Sequence, residues 1–124
     1  MIVGIRLGNL SIDCKDPKKQ CDFYADLLGW NKGVMYNCPA VICDNGFVIL
    51  FMECDFEYIP PVWPEVSGQQ QKHMHLDLQV DDLPSAIEEA EKLGAKRAES
   101  QFGGTHFVTM IDPEGHPFCL CAKG

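Results

Sequence analysis

Two stretches of alternating apolar and polar residues stand at corresponding places in the two halves of the chain. In "NLSIDC" (9–14), Leu10, Ile12 and Cys14 alternate with Asn9, Ser11 and Asp13. That period of two predicts a strand with one buried face. "DPKKQCDFYADLLG" (16–29) follows and changes the period. Cys21, Tyr24, Ala25 and Leu28 form an i, i+3, i+4, i+7 stripe, which predicts a helix. Asp16 suits its N-cap, Pro17 its first turn and Gly29 its C-terminal stop.

The second half repeats the scheme. "MHLDLQV" (74–80) alternates, with Leu76, Leu78 and Val80 on the apolar phase and His75, Asp77 and Gln79 on the other. A one-residue slip would exchange the two sets, so the apolar pattern decides which face each occupies. Asp82 is placed to cap the next helix, and Leu83, Ala86, Ile87, Ala90 and Leu93 supply its stripe, with Gly94 closing it. Asp16, Ala25, Leu28 and Gly29 map onto Asp81, Ala90, Leu93 and Gly94 at one constant offset, while the preceding strands repeat one residue further apart. Three extended segments follow each helix: "GVMYNC", "AVIC" and "GFVILFMEC", then "AKRAES", "THFVTMI" and "PFCLCA". "DPEG" (112–115) is a turn signal between the last two. The pattern predicts an α+β chain of two strand–helix–three-strand modules. The first covers about 1–54 and the second about 73–124. The segment "DFEYIPPVWPEVSGQQQK" (55–72) between them has three prolines, which exclude a central strand, and reads as a linker. Its Tyr58 and Trp63 either pack on the domain surface or form an aromatic flap over a cavity.

Composition narrows the function. At 124 residues the chain is long enough for one domain with its own core. The net charge of −8 argues against nucleic acid, which needs clustered Lys and Arg. No apolar run approaches the ~20 residues of a membrane span, and "MIVGIRLGNL" lacks the basic start and long apolar core of a signal peptide. These features imply a cytoplasmic protein with no membrane partner. The seven cysteines (Cys14, Cys21, Cys38, Cys43, Cys54, Cys119 and Cys121) are odd in number and form no C-x-x-C, so reduced thiols are expected.

Two such modules, opened by "LGNLSIDCKDP" and "MHLDLQVDD" and closed by "FVTMIDPEGHPFCLC", resemble the vicinal oxygen chelate superfamily. This is the group of glyoxalase I, the bleomycin-resistance proteins and the extradiol dioxygenases. The resemblance spans nearly the whole chain and implies a single glyoxalase-like domain over 1–124. In it, two βαβββ modules curve their mixed sheets around a cavity, and the chain works as a homodimer on a small-molecule ligand. It specifies the fold and leaves the chemistry open, since the superfamily hosts lyases, isomerases, dioxygenases and non-catalytic binders.

Members that use a metal draw one ligand from the first and one from the last strand of each module, usually His or Gln, then Glu. Carried over, those positions fall on Asn9, Leu50, His75 and Cys119. Leu50 and Cys119 each lie four residues after a glycine, Gly46 and Gly115. Only His75 has the usual residue type, so His75 is the expected metal residue, with Cys119 or Glu53 as its partner. The cofactor stays open between a divalent metal and none, and glyoxalase I itself is disfavoured. Asn9, Leu50, Trp63, His75, Asp77, Gln79 and Cys119 are the expected cavity residues. A Cys119–His75 nucleophile and base or a His75–Asp77 acid–base pair are the remaining chemistries. The expected function is action on a small metabolite of lyase, isomerase or dioxygenase type. The alternative is non-catalytic binding of the bleomycin-resistance type. His73, His106 and His116 read as surface or rim residues.

Overall fold

The structure is a computed structural model of the chain and describes residues 1–123. In chain order the elements are β1 (Asn9–Cys14), α1 (Pro17–Leu28), β2 (Asn31–Met35), β3 (Cys38–Ile42), β4 (Val48–Glu53), β5 (Asp77–Val80), α2 (Leu83–Lys92), β6 (Lys96–Arg97), β7 (Phe107–Ile111) and β8 (Pro117–Ala122). They form two four-stranded sheets of identical topology, ordered β1-β4-β3-β2 and β5-β8-β7-β6. In each sheet the first strand runs parallel to the last and the remaining pairs are antiparallel. This is the α+β arrangement of two βαβββ modules that the sequence predicts. No helix among the described residues is long and apolar enough to cross a membrane.

The chain divides into two compact units between Glu57 and Tyr58. The segment read as a linker therefore belongs, from Tyr58 on, to the second unit. Three contacts explain this. The Trp63 indole Nε1 donates to the Ser100 carbonyl at 3.2 Å. The Val62 N–H donates to the Gln70 carbonyl at 2.9 Å, closing 62–70 into a loop. Pro60 packs so closely on the 112–115 turn that a Cβ at Gly115 would lie 3.0 Å from it, at a φ of +86°. Glycine is required there on both counts.

In the first unit, α1 begins as predicted. Asp16 accepts from the Lys19 N–H at 3.2 Å, and Gly29 ends the helix at φ 70°. The buried stripe is wider than the sequence reading, taking in Gln20 and Phe23 beside Cys21, Tyr24 and Ala25. Tyr24 stacks on Phe51 of β4, with ring centroids 5.8 Å apart. β4 is an interior strand, buried on both faces over Val48–Phe51. Its run "VILF" is accordingly continuous rather than alternating.

In the second unit, Asp82 caps α2 by accepting from the Ser85 N–H at 3.2 Å, and Ala90 is the fully buried centre of its stripe. Two strands are shorter than the sequence suggests, and each for a chemical reason. β5 starts at Asp77, not Met74. Its only neighbour is β8, and the last bond toward the start of β5 runs from the Cys119 N–H to the Leu76 carbonyl at 2.8 Å. The next donor would be residue 117, a proline with no N–H. β6 stops at Arg97 because a side chain takes half of the next pairing: the Ala98 N–H still donates to the Thr109 carbonyl at 3.0 Å, but the return bond goes to Gln101. The Gln101 amide donates to the carbonyls of Ala98 and Thr109 and accepts from the Thr109 N–H, each at 2.8 Å.

None of the seven cysteines is in a disulfide. Burial, and next the neighbouring Asp22, push the Cys21 thiol up from its ordinary value. Burial also raises Cys119 and Cys121. A thiol that stays protonated in the folded state contributes stability below its unfolded pKa, about 8.5. That contribution is lost as pH rises toward the folded value, because the folded chain then holds more protons than the unfolded one. Thermal melts should therefore show the midpoint falling above about pH 8.5, less steeply in a Cys21→Ala variant. An identical slope in that variant would assign the fall to other groups.

Candidate functional site

Register across β5, β8 and β7 places Asp77 beside Cys119 and Cys119 beside Thr109. These three residues form one row on one face of the sheet. His75 lies two residues before Asp77, on the same phase, and its Nε2 is 3.1 Å from Asp77 Oδ1. Ligand atoms of His75, Asp77 and Cys119 all lie within 4.8 Å of one another. The histidine and aspartate side chains are 38% and 60% exposed, whereas Cys119 is buried. The Cys119 Sγ is 3.6 Å from Thr109 Oγ1. Burial is the main reason its thiol sits above the ordinary value; Asp77 adds to the rise, and the Thr109 hydrogen bond offsets part of it.

The row faces a cavity of about 170 Å³, lined by Trp63, Lys72, His75, Phe102, Phe107, Thr109, Pro117 and Cys119. Three cavity residues expected from the sequence, Trp63, His75 and Cys119, thus come together, and Asp77 adjoins them through His75. Gln79 is exposed opposite Cys121, outside the lining. The rest of the lining carries weaker sequence signals. Thr109 is the one polar residue in the strand "FVTMI", and Lys72 is the one basic residue of 55–72. Phe102 lies outside every periodic segment and packs edge-on against Trp63, 5.8 Å between centroids.

The first unit has the same register with different residues. Ser11 pairs with Leu50 and Leu50 with Ala40, where the second unit has Asp77, Cys119 and Thr109. Asn9 donates to the Ser11 hydroxyl at 3.2 Å. Leu50 is 0% exposed and packs with Ala40 and Val48 in an apolar cluster flanked by Met35, Cys38 and Ile42. The position is a filled core site, in which an isobutyl group occupies the space a ligating side chain would need. Glu53 pairs with Cys14 at the far end of β4 and is exposed.

The resemblance leaves a divalent metal open, and the donor set of the second unit fits one. An imidazole nitrogen, a carboxylate oxygen and a thiolate suit a borderline ion such as zinc. Tetrahedral bonds of about 2.0–2.3 Å put two ligands of one zinc ion ~3.3–3.8 Å apart. The three donor atoms lie within 4.8 Å of one another, so side-chain rotation has to draw them together to close on an ion. The cost is a proton, since the Cys119 thiol must ionise to bind.

The chain belongs to the glyoxalase-like domain family, whose model matches residues 9–121. Among solved structures it is similar to a glyoxalase/bleomycin resistance protein/dioxygenase family enzyme from Burkholderia phytofirmans PsJN. The TM-score is 0.68 at 14% identity, over 93% of this chain and 96% of that one. It is also similar to the genomically encoded fosfomycin resistance protein FosX from Listeria monocytogenes, with TM-score 0.68 and 18% identity over 100% of this chain and 94% of that one. A mutant of that protein, solved with Mn(II) and 1S,2S-dihydroxypropylphosphonic acid, gives TM-score 0.67 at 18% identity over 100% and 93%. An integron cassette protein from V. cholerae gives TM-score 0.65 at 17% identity, over 100% and 99%. No curated protein matches the sequence.

Proposed function

We propose that the chain takes a small metabolite into the cavity of its second unit and acts on it in lyase, isomerase or dioxygenase fashion, with a divalent cation held by His75, Asp77 and Cys119. The observation that carries this reading is the convergence of those three donors, within 4.8 Å, at an apolar cavity whose wall includes His75 and Cys119. The Mn(II) complex of the Listeria fosfomycin resistance protein supports it as a precedent within the fold. A cation there would act as a Lewis acid on a substrate oxygen. The chain's own residues do the rest. Asp77 Oδ1 and His75 Nε2 already face each other at 3.1 Å, and Thr109 fixes the Cys119 sulfur. Gln101 in turn holds the Thr109 backbone. Phe107 and Pro117 give the body of the ligand an apolar wall.

Metal analysis of protein purified without a histidine tag tests the reading. Stoichiometric zinc, iron, nickel or manganese is expected, and its loss in His75→Ala. That variant removes a ligand itself, so affinity should fall by more than the ~10–100-fold typical of outer-shell partners. Wild-type protein that stays metal-free after incubation with each ion would overturn it.

One observation favours a second reading, a non-catalytic binder of the bleomycin-resistance type. The positions of the first unit that correspond to the donor row are Ser11, Leu50 and Ala40, two of them apolar. A binder needs no metal. A thermal-shift screen of aromatic compounds, repeated with chelator, separates the two. Shifts that survive chelation favour the binder, and shifts that vanish favour the metal-dependent reading.

A further inference from the structure

Lys72 is the one residue of the cavity lining with a permanent charge near neutral pH. Its side chain is only 14% exposed. The ammonium lies 2.7 Å from Glu65 Oε1 and 4.7 Å from the centre of the Trp63 ring. An ammonium has three donors. Glu65, itself 48% exposed, takes one, and the indole face screens another side. The remaining lining is largely apolar: Trp63, Phe102, Phe107 and Pro117. A cation beside such a surface loses hydration and is stabilised by an anion in its place. The volume, about 170 Å³, falls below the ~300–1,000 Å³ of drug-sized sites. The ligand is therefore small.

We propose that this cavity selects a compact organic anion with a planar apolar body, in the class of small aromatic carboxylates. Its carboxylate sits on Lys72 and its ring lies against Phe102, Phe107 and Pro117. The proposal rests on the reading that the cavity of the second unit is the ligand site, and it adds the ligand's charge and the residue that reads it. Three negative features oppose this assignment and none cancels it. Glu65 takes one of the three ammonium donors and is itself 48% exposed, so solvent screens part of its charge. Asp77 is engaged with His75 and lies outside the lining. The overall charge of −8 acts over distances that salt screens beyond about 8 Å, so the buried local cation decides.

The test uses three near-isosteric probes on the full chain: benzoate, benzamide and benzylamine. Binding is followed by the NMR shift of the Trp63 indole N–H, with the Trp30 indole as internal control. Benzoate is expected to bind at least about tenfold tighter than benzamide, the worth of one charge-assisted hydrogen bond. Lys72→Met should bring benzoate down to the benzamide level and leave benzamide unchanged, and Lys72→Arg should retain the preference. If benzamide or benzylamine binds as well as benzoate, or Lys72→Met leaves benzoate untouched, the anion assignment falls while the cavity stands as a ligand site. If no probe moves the Trp63 signal, both fall. Should Lys72→Met not fold, the wild-type ranking of the three probes decides alone.

Discussion

Leu50→Glu, which installs the superfamily's usual ligand type in the first unit, is expected to destabilise the fold severely at neutral pH rather than add a metal ligand. Leu50 is 0% exposed among Ala40 and Val48, with Met35, Cys38 and Ile42 around them. Losing the buried leucine costs about 1.5–3 kcal/mol of transfer free energy. The larger effect is the carboxylate. No cation belongs to that cluster, and its Cys38 thiol, a weak donor, is already given to the Tyr36 carbonyl, so the acid stays neutral in the folded state. A fully buried carboxyl can be raised by up to ~3–5 units, and each unit corresponds to about 1.4 kcal/mol. Together these terms rival the ~5–15 kcal/mol total stability of a domain. The sign follows from the raised pKa. The folded protein keeps its stability below the unfolded value of about 4.3 and loses it as pH rises toward the folded value. Urea titrations at pH 4.5 and pH 7 should therefore show the variant recovering at the lower pH relative to wild type. A variant as stable as wild type at pH 7, and newly able to bind metal, would show that residue 50 opens onto a site.

Phe51→Ala is the second large effect, expected to cost about 3–5 kcal/mol. Phe51 lies on the opposite face of β4 from Leu50, is 0% exposed and stacks on Tyr24 of α1 at an interplanar angle of 13°. Its removal leaves a cavity beneath the helix and forfeits the ring pair, which is worth about 0.5–1.5 kcal/mol beyond area. Met52→Ala, at an exposed position on the same strand, is the control and should stay within about 1 kcal/mol. Chemical denaturation of both variants checks the contrast. Equal losses would mean that β4 is not buried on both faces.

The two substitutions show why part of this protein was legible beforehand. α1 and α2 were readable because Asp16, Pro17 and Gly29, and Asp82 and Leu83, are local signals that act within a turn or two. The phase of β5 was readable because half-burial imposes a period of two: Leu76, Leu78 and Val80 turn inward and His75, Asp77 and Gln79 stay exposed. The ends of β5 and β6 were not. They depend on Pro117 and Gln101, which lie elsewhere in the chain and act through a missing donor and a substituted acceptor. The 55–72 segment misled for a related reason. Its prolines do exclude a strand, but proline content carries no information about what a segment packs against.

The site divides along the same line. Sequence alone determined the two βαβββ modules, the face on which His75 and Asp77 lie, and the mismatch at Leu50, since periodicity and spacing are properties of the chain itself. Only the tertiary structure brought Cys119 and Thr109 alongside Asp77 in one row, turned His75 onto Asp77, and set Lys72, Trp63 and Phe102 around the same cavity. Those residues come from strands and loops far apart in sequence. Their meeting is fixed by strand register and side-chain packing, and packing between distant residues leaves no periodic trace.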